Sequence, residues 1–295
     1  MGYLFLSISL FAGIVKGYCG KKLGGFAANL QSAVLLNFVR MLLCVVLGVV
    51  VVFASGDAAY LAAAPGVLMT CALSGIGTAF FVVSWLLAVR KSAYMMLDVF
   101  LMVGTVIPMI GGYVRFAEAV CYRQWIGFFL LVVAAVVMCS YHNSVKTKLS
   151  LSSLALLLAC GAMSGIADFS QKLYVKSFPS MPISVFNLYT YVFAAATLAI
   201  VFLLRSGKEK TDFDRRPANA AVLLIVIMAV SLTANSYFKT MAARDLDSAQ
   251  LYPLSQGAAL VLSSVMATVC FKEKFTHKAF VGIVIAFVAL MIMNL

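Results

Sequence analysis

Ten runs of about 20 apolar residues, separated by short charged links, constrain this chain more than any other feature. They cover about 3–20, 33–54, 65–89, 93–114, 124–141, 151–173, 183–204, 219–241, 247–271 and 279–294. A hydrocarbon core of about 30 Å asks for a helix of roughly 20 residues. Inside it every backbone polar group must be satisfied within the segment, which such a helix does by itself. With 64% hydrophobic and 11% charged residues, and a mean hydropathy of +1.05, the composition excludes a water-soluble globule, for which roughly 45–50% apolar is usual. The longest polar link, from Arg205 to Pro217, is too short to hide a soluble domain. Function is therefore expected within the bilayer. The first run has no basic residue before it and no small-residue cleavage pattern after it, so it is expected to stay as the first span.

The runs fall into two sets. Ser236 to Leu290 carries an apolar helix end, a charged turn at Arg244-Asp245, an apolar run containing Pro253, a short link around Glu273 and a final apolar run. Ser84 to Val136 carries the same succession, with Arg90, Pro108 and Glu118. The arginines are 154 residues apart and the glutamates 155, and Glu118 to Gly127 has the spacing of Glu273 to Gly282. Upstream, Ala12-Gly13-Ile14-Val15-Lys16 echoes Ser164-Gly165-Ile166-Ala167-Asp168, and Leu36-Asn37-Phe38-Val39-Arg40 echoes Phe186-Asn187-Leu188-Tyr189-Thr190. This is an internal duplication, with halves 1–147 and 148–295. Five helices per half is an odd number, so the second half enters the membrane inverted, as in the repeats of secondary transporters.

The net charge of +12 sits mostly in the links, where it orients the helices and is no footprint for nucleic acid. Links after the odd-numbered runs carry 14 Lys and Arg, from Lys21 and Lys22 to Lys272, Lys274 and Lys278. The other side carries 5: Arg115, Arg123, Lys172, Lys176 and Arg244. Basic residues favour the cytoplasm, so both termini of this multi-pass chain are expected outside the cell membrane. The seven cysteines are scattered singly without a CxxC pair, which points to packing and not to a metal or redox set.

The two five-helix halves, the arginine turns before runs 4 and 9, the Pro-interrupted run beginning SAQLYPLS, and a glutamate nine residues before a glycine in runs 5 and 10 together resemble the EamA branch of the drug/metabolite transporter superfamily. The resemblance covers the full length. It implies an all-α integral membrane protein of ten transmembrane helices in two inverted repeats, with helices 1, 3, 4, 6, 8 and 9 around a substrate cavity and helices 5 and 10 packed outside it. Many members have cytoplasmic termini, which the charge count here contradicts.

Ionisable groups within spans cost on the order of 2.5–3.5 kcal/mol each at the helix centre and are functional candidates by default. Lys16, Arg40, Asp98, Asp168 and Lys239 are such groups. Lys16 and Arg40 have stems long enough to snorkel to the headgroups, whereas Asp98 and Asp168 do not. A second tier of hydrogen-bonding candidates comprises Asn235 and Tyr237 in run 8, Asn187 in run 7, and Gln250, Tyr252, Ser255 and Gln256 around Pro253, where the proline frees a backbone carbonyl. By position, Lys16 and Asp98 lie toward one face and Asp168 and Lys239 toward the other, so each face has a cation and an anion to pair.

These features point to a secondary transporter of a small metabolite, whether amino acid-like, another polar solute or a hydrophobic cation, with Asp98 and Asp168 as candidates for proton coupling. A flippase or channel on the same scaffold is the alternative. An intramembrane enzyme fits less well: the two histidines, His142 and His277, stand in links, and no catalytic, cofactor-binding or metal-ligating set is legible. The expected partners are the solute, the lipid bilayer and protons, with no nucleic acid, in a monomer or a homodimer.

Overall fold

The computed structural model describes residues 1–27, 29–91, 94–139, 151–205, 218–271 and 277–294. Eleven α-helices are found there: α1 (Gly2–Gly24), α2 (Leu30–Ala54), α3 (Pro65–Lys91), α4 (Tyr94–Gly104), α5 (Val106–Phe116), α6 (Tyr122–Cys139), α7 (Leu151–Ser177), α8 (Ile183–Arg205), α9 (Ala218–Asp245), α10 (Ser248–Phe271) and α11 (His277–Asn294). A short 3₁₀ turn at Asp57–Leu61 joins α2 to α3. Among the described residues there are no strands. Seven of the helices, α1, α2, α3, α7, α8, α9 and α10, are long and apolar enough to cross a membrane.

The fourth apolar run, expected as one helix over 93–114, is two. Pro108 has no N–H to offer the carbonyl of Gly104 and its ring opposes that carbonyl, so the helix ends there and restarts at Val106. Thr105 bridges the break by turning back on Met102, whose carbonyl accepts from the Thr105 backbone N–H at 3.0 Å and from its hydroxyl at 2.7 Å. Pro253 sits close to the start of α10, and that helix runs on through it. At the start of α2 the Asn29 side chain accepts from the Ser32 N–H at 2.9 Å, satisfying one of the free amides of the first turn.

The helices pair across the two halves of the chain: α1 on α9, α3 on α7 and α8, α2 on α8, and α6 on α11. Packing of α4 on α7 depends on glycines. A Cβ on Gly161 would lie 2.2 Å from the Phe100 carbonyl oxygen, and one on Gly104 would lie 2.1 Å from that of Gly161. The two backbones touch directly, as small residues allow between membrane helices. Toward one end an apolar cluster gathers Leu6, Tyr174, Phe186, Leu246 and Tyr252. Toward the other, Leu23, Trp85, Leu101, Met228 and Met266 pack together. α6 and α11 meet outside, through Leu131, Ala134, Ala286 and Ala289. The outer surface exposes Phe11, Val114, Phe129, Leu203 and Phe287, the side chains a lipid environment accepts.

Lys172, counted above among the link cations, belongs to α7 and is fully buried. Its ammonium lies 2.9 Å from Glu118 Oε1 and donates to the carbonyls of Ala243 and Leu246. Glu118 Oε2 in turn accepts from the Ser248 N–H at 2.8 Å, at the N-terminus of α10. One carboxylate thus ties the α5–α6 link to α7 and α10. Burial by itself would raise the Glu118 pKa, but the Lys172 ammonium and the Ser248 donors outweigh it and hold the carboxyl below its ordinary range.

Candidate functional site

A cavity of about 160 Å³ opens midway along the long helices. Leu10, Gly13, Ile14, Lys16 and Gly17 of α1 line it, with Ser74, Thr78, Phe81 and Trp85 of α3 and Leu101 of α4. From the second half come residues of α7, α8, α9 and α10, among them Ser164, Asp168, Gln171, Thr190, Asn235, Lys239, Ser255 and Gln256. The walls are the helices that the resemblance places at the substrate cavity, with α8 added.

Asp168 on α7 and Lys239 on α9 form an ion pair at 2.7 Å, with side chains 11% and 13% exposed. Tyr252 on α10 locks this pair from behind: its hydroxyl donates to the Asp168 carbonyl at 2.7 Å, and the Lys239 ammonium lies 5.2 Å from its ring centroid. A cation over an aromatic face in a desolvated setting contributes about 2 kcal/mol. Tyr252 is fully buried and does not line the cavity, so its expected contact with a solute is replaced by support of the pair.

Lys16 faces the cavity from α1 and donates to Asn235 Oδ1 at 3.4 Å. Asn235 is held by its other end: its amide nitrogen donates to the Ser9 carbonyl at 2.8 Å and to the Ser9 hydroxyl at 2.9 Å. The pairing expected between Lys16 and Asp98 concerns a residue of α4 whose side chain lies outside the described residues. Arg40 is 3% exposed and packs within the protein, 4.0 Å from the Met228 sulfur, so it does not snorkel. Gln250 is not at the cavity either: it donates to the Tyr3 hydroxyl near the ends of α10 and α1. Tyr237 packs edge-on against Phe238. Asn187 is buried and accepts from the Ser236 hydroxyl at 2.6 Å, behind the cavity wall.

The reading of single residues missed the polar wall of α3. Ser74, Thr78, Phe81 and Trp85 lie at spacings of four, three and four, one face of a helix, and that periodicity is legible in the chain. Thr190 and Gln171 were missed for a different reason. Nothing local separates them from hydroxyls and amides that bond between helices.

The fold and site define a polytopic α-helical membrane protein with a polar, charged cavity between its two halves. Residues 151–295 match the EamA-like transporter family, which lies within the drug/metabolite transporter superfamily. Members of this family are transporters and not enzymes. A solved structure, described only as a crystal structure of a protein, is similar over 99% of this chain and 95% of its own, with a TM-score of 0.76 at 16% identity. At that identity the likeness shows the fold alone. No curated protein matches the sequence.

Proposed function

We propose that the protein is a secondary transporter which moves a small solute through this cavity by alternating access, built from two inverted five-helix repeats, 1–147 and 148–295. The observation that carries this reading is the cavity itself, polar, lined from both halves, and bordered by a buried ion pair on helices of the second half. The packing supports the repeat: exchanging the halves turns the contact of α1 with α9 into that of α7 with α3, and leaves α2 with α8 and α6 with α11 unchanged. Side chains agree. Asn37 donates to the carbonyls of Ala33 and Val82, while Asn187 donates to that of Ile183 and accepts from Ser236, which stands 154 residues after Val82.

The same register of 154 aligns Trp85 with Lys239 and Asp98 with Tyr252, and the register of 152 at the first helix of each half aligns Lys16 with Asp168. Each trio holds a cation, an anion and an aromatic ring, permuted between the halves. Asp168 and Lys239 would close the pathway toward one face. Lys16 and Asp98 would close it toward the other, and exchange of one pair for the other alternates access. Asp98 and Asp168 are the candidates to carry a coupling proton. The basic excess of the odd-numbered links puts both termini outside the cell membrane.

Proteoliposome uptake tests the reading: saturable accumulation of unchanged solute is expected, and Asp98→Asn or Asp168→Asn should reduce proton-driven uptake more than solute exchange. Chemical alteration of the solute would mean an enzyme. Non-saturating flux down the gradient would mean a channel.

A further inference from the structure

Charge on the cavity wall is unbalanced. Among the described residues two ammonium groups, Lys16 and Lys239, face it with one carboxylate, Asp168, and that carboxylate is already engaged by Lys239 at 2.7 Å. The hydrogen-bond partner of Lys16 is a neutral amide oxygen at 3.4 Å, with no described carboxylate within 4 Å. Its Coulombic neighbours among the described residues are Lys239, Arg40 and Asp168, two cations and one anion. Arg40 packs against Met228 and does not line the cavity, so among the described residues the wall itself carries Lys16, Lys239 and Asp168. A surplus ammonium in a membrane-buried cavity is unfavourable unless a counter-charge reaches it. With the Asp168–Lys239 pair closed, the described residues bring Lys16 an acceptor but no carboxylate within 4 Å.

We infer that the transported solute supplies that charge: it is a small organic anion, whose carboxylate or equivalent group pairs with Lys16 beside Asn235, and whose apolar part lies against Phe81, Trp85 and Met266. This deepens the transporter reading and rests on it. Volume sets the scale, since an engineered apolar cavity of about 150 Å³ takes a benzene ring. Among the described residues a cation has no free carboxylate to meet at this wall, because recruiting Asp168 would strip Lys239 of its partner. A zwitterion meets that obstacle with its ammonium.

Three probes of one shape and different charge decide it: benzoate, benzamide and benzylammonium, added to the purified full chain in a thermal melt. A ligand bound only by the folded state raises the melting temperature by mass action, by a few degrees at about ten times its Kd. Benzoate is expected to do so, and the other two to do so at least tenfold less potently. Lys16→Gln should abolish the benzoate shift and Lys16→Arg should keep it. Stabilisation by benzylammonium equal to or above that by benzoate, no shift with benzoate, or a shift that persists in Lys16→Gln would each overturn the inference. Should Lys16→Gln not fold, the order of the three probes on the unaltered protein decides alone. Uptake separates the two levels: proteoliposomes that accumulate benzylammonium and not benzoate would leave the transporter standing and remove the anion, whereas flux without saturation would remove the transporter.

Discussion

Removing one partner of the Asp168–Lys239 pair tests most directly whether the cavity wall is held by charge. The pair is 2.7 Å long, and each side chain is only 11–13% exposed. Truncating one member of such a pair typically costs 3–5 kcal/mol, because the other is left as an uncompensated buried charge. The cavity beside it admits water, which places this case near the lower end, at about 3 kcal/mol. At roughly 2–4 °C per kcal/mol, and nearer 2 for a chain of this size, Asp168→Asn or Lys239→Met should each lower the melting temperature by about 6 °C. Exchanging the charges, Asp168→Lys with Lys239→Asp, should recover part of the loss. Recovery stays partial because the swap moves the ammonium off the Tyr252 ring, to which Lys239 lies at 5.2 Å. The assay is thermal unfolding in one detergent of the unaltered protein, Asp168→Asn, Lys239→Met and the variant that combines them, read as a double-mutant cycle, with the charge exchange melted beside them. Contacting residues should show an interaction energy of at least about 0.5 kcal/mol. If the single substitutions simply add, and the exchange recovers nothing, the pair does not hold the wall.

Two further outcomes follow from other parts of the molecule. The depressed pKa of Glu118 makes its contribution to stability present above the ordinary carboxyl value of about 4.3 and lost as pH falls through the lower folded value; the melting temperature of the unaltered protein should therefore exceed that of Glu118→Gln at pH 6, and the gap should narrow steadily as pH falls below the ordinary carboxyl value. A gap that is constant between pH 3 and 7 would show that the carboxylate charge is not what ties α7 to α10. Orientation can be read with two native thiols, since Cys121 in the α5–α6 link and Cys270 at the end of α10 are both exposed. In variants keeping only one of them, an impermeant maleimide on intact cells should label Cys121 and spare Cys270; the reverse pattern would mean cytoplasmic termini.

What the chain alone determines here is one-dimensional. Apolar runs of about 20 residues can do little in a bilayer except form helices. The spacing of 154 residues from Arg90 to Arg244, on which the proposed repeat rests, can be counted without coordinates. Lys16, Asp168, Asn235 and Gln256 stand out for the same reason: polar groups in hydrocarbon are costly wherever the helix carrying them lies, and all four line the cavity. The break at Thr105 was half legible, since Pro108 marks it, yet Pro253 leaves α10 continuous and local chemistry does not separate the two. Sequence position already set Asp168 and Lys239 on one face as a pair, and tertiary structure decided that they touch. Asp168 and Lys239 are 71 residues apart, and only the packing of α7 near α9 brings them to 2.7 Å. It also decided that Lys172 is an internal tie and not a surface cation, and that Tyr252 serves the pair from behind and does not face the cavity. Sequence periodicity states which face of a helix is polar; what that face meets depends on the rotation and depth of its neighbours, set by close packing such as that of Gly104 on Gly161, which no single helix contains.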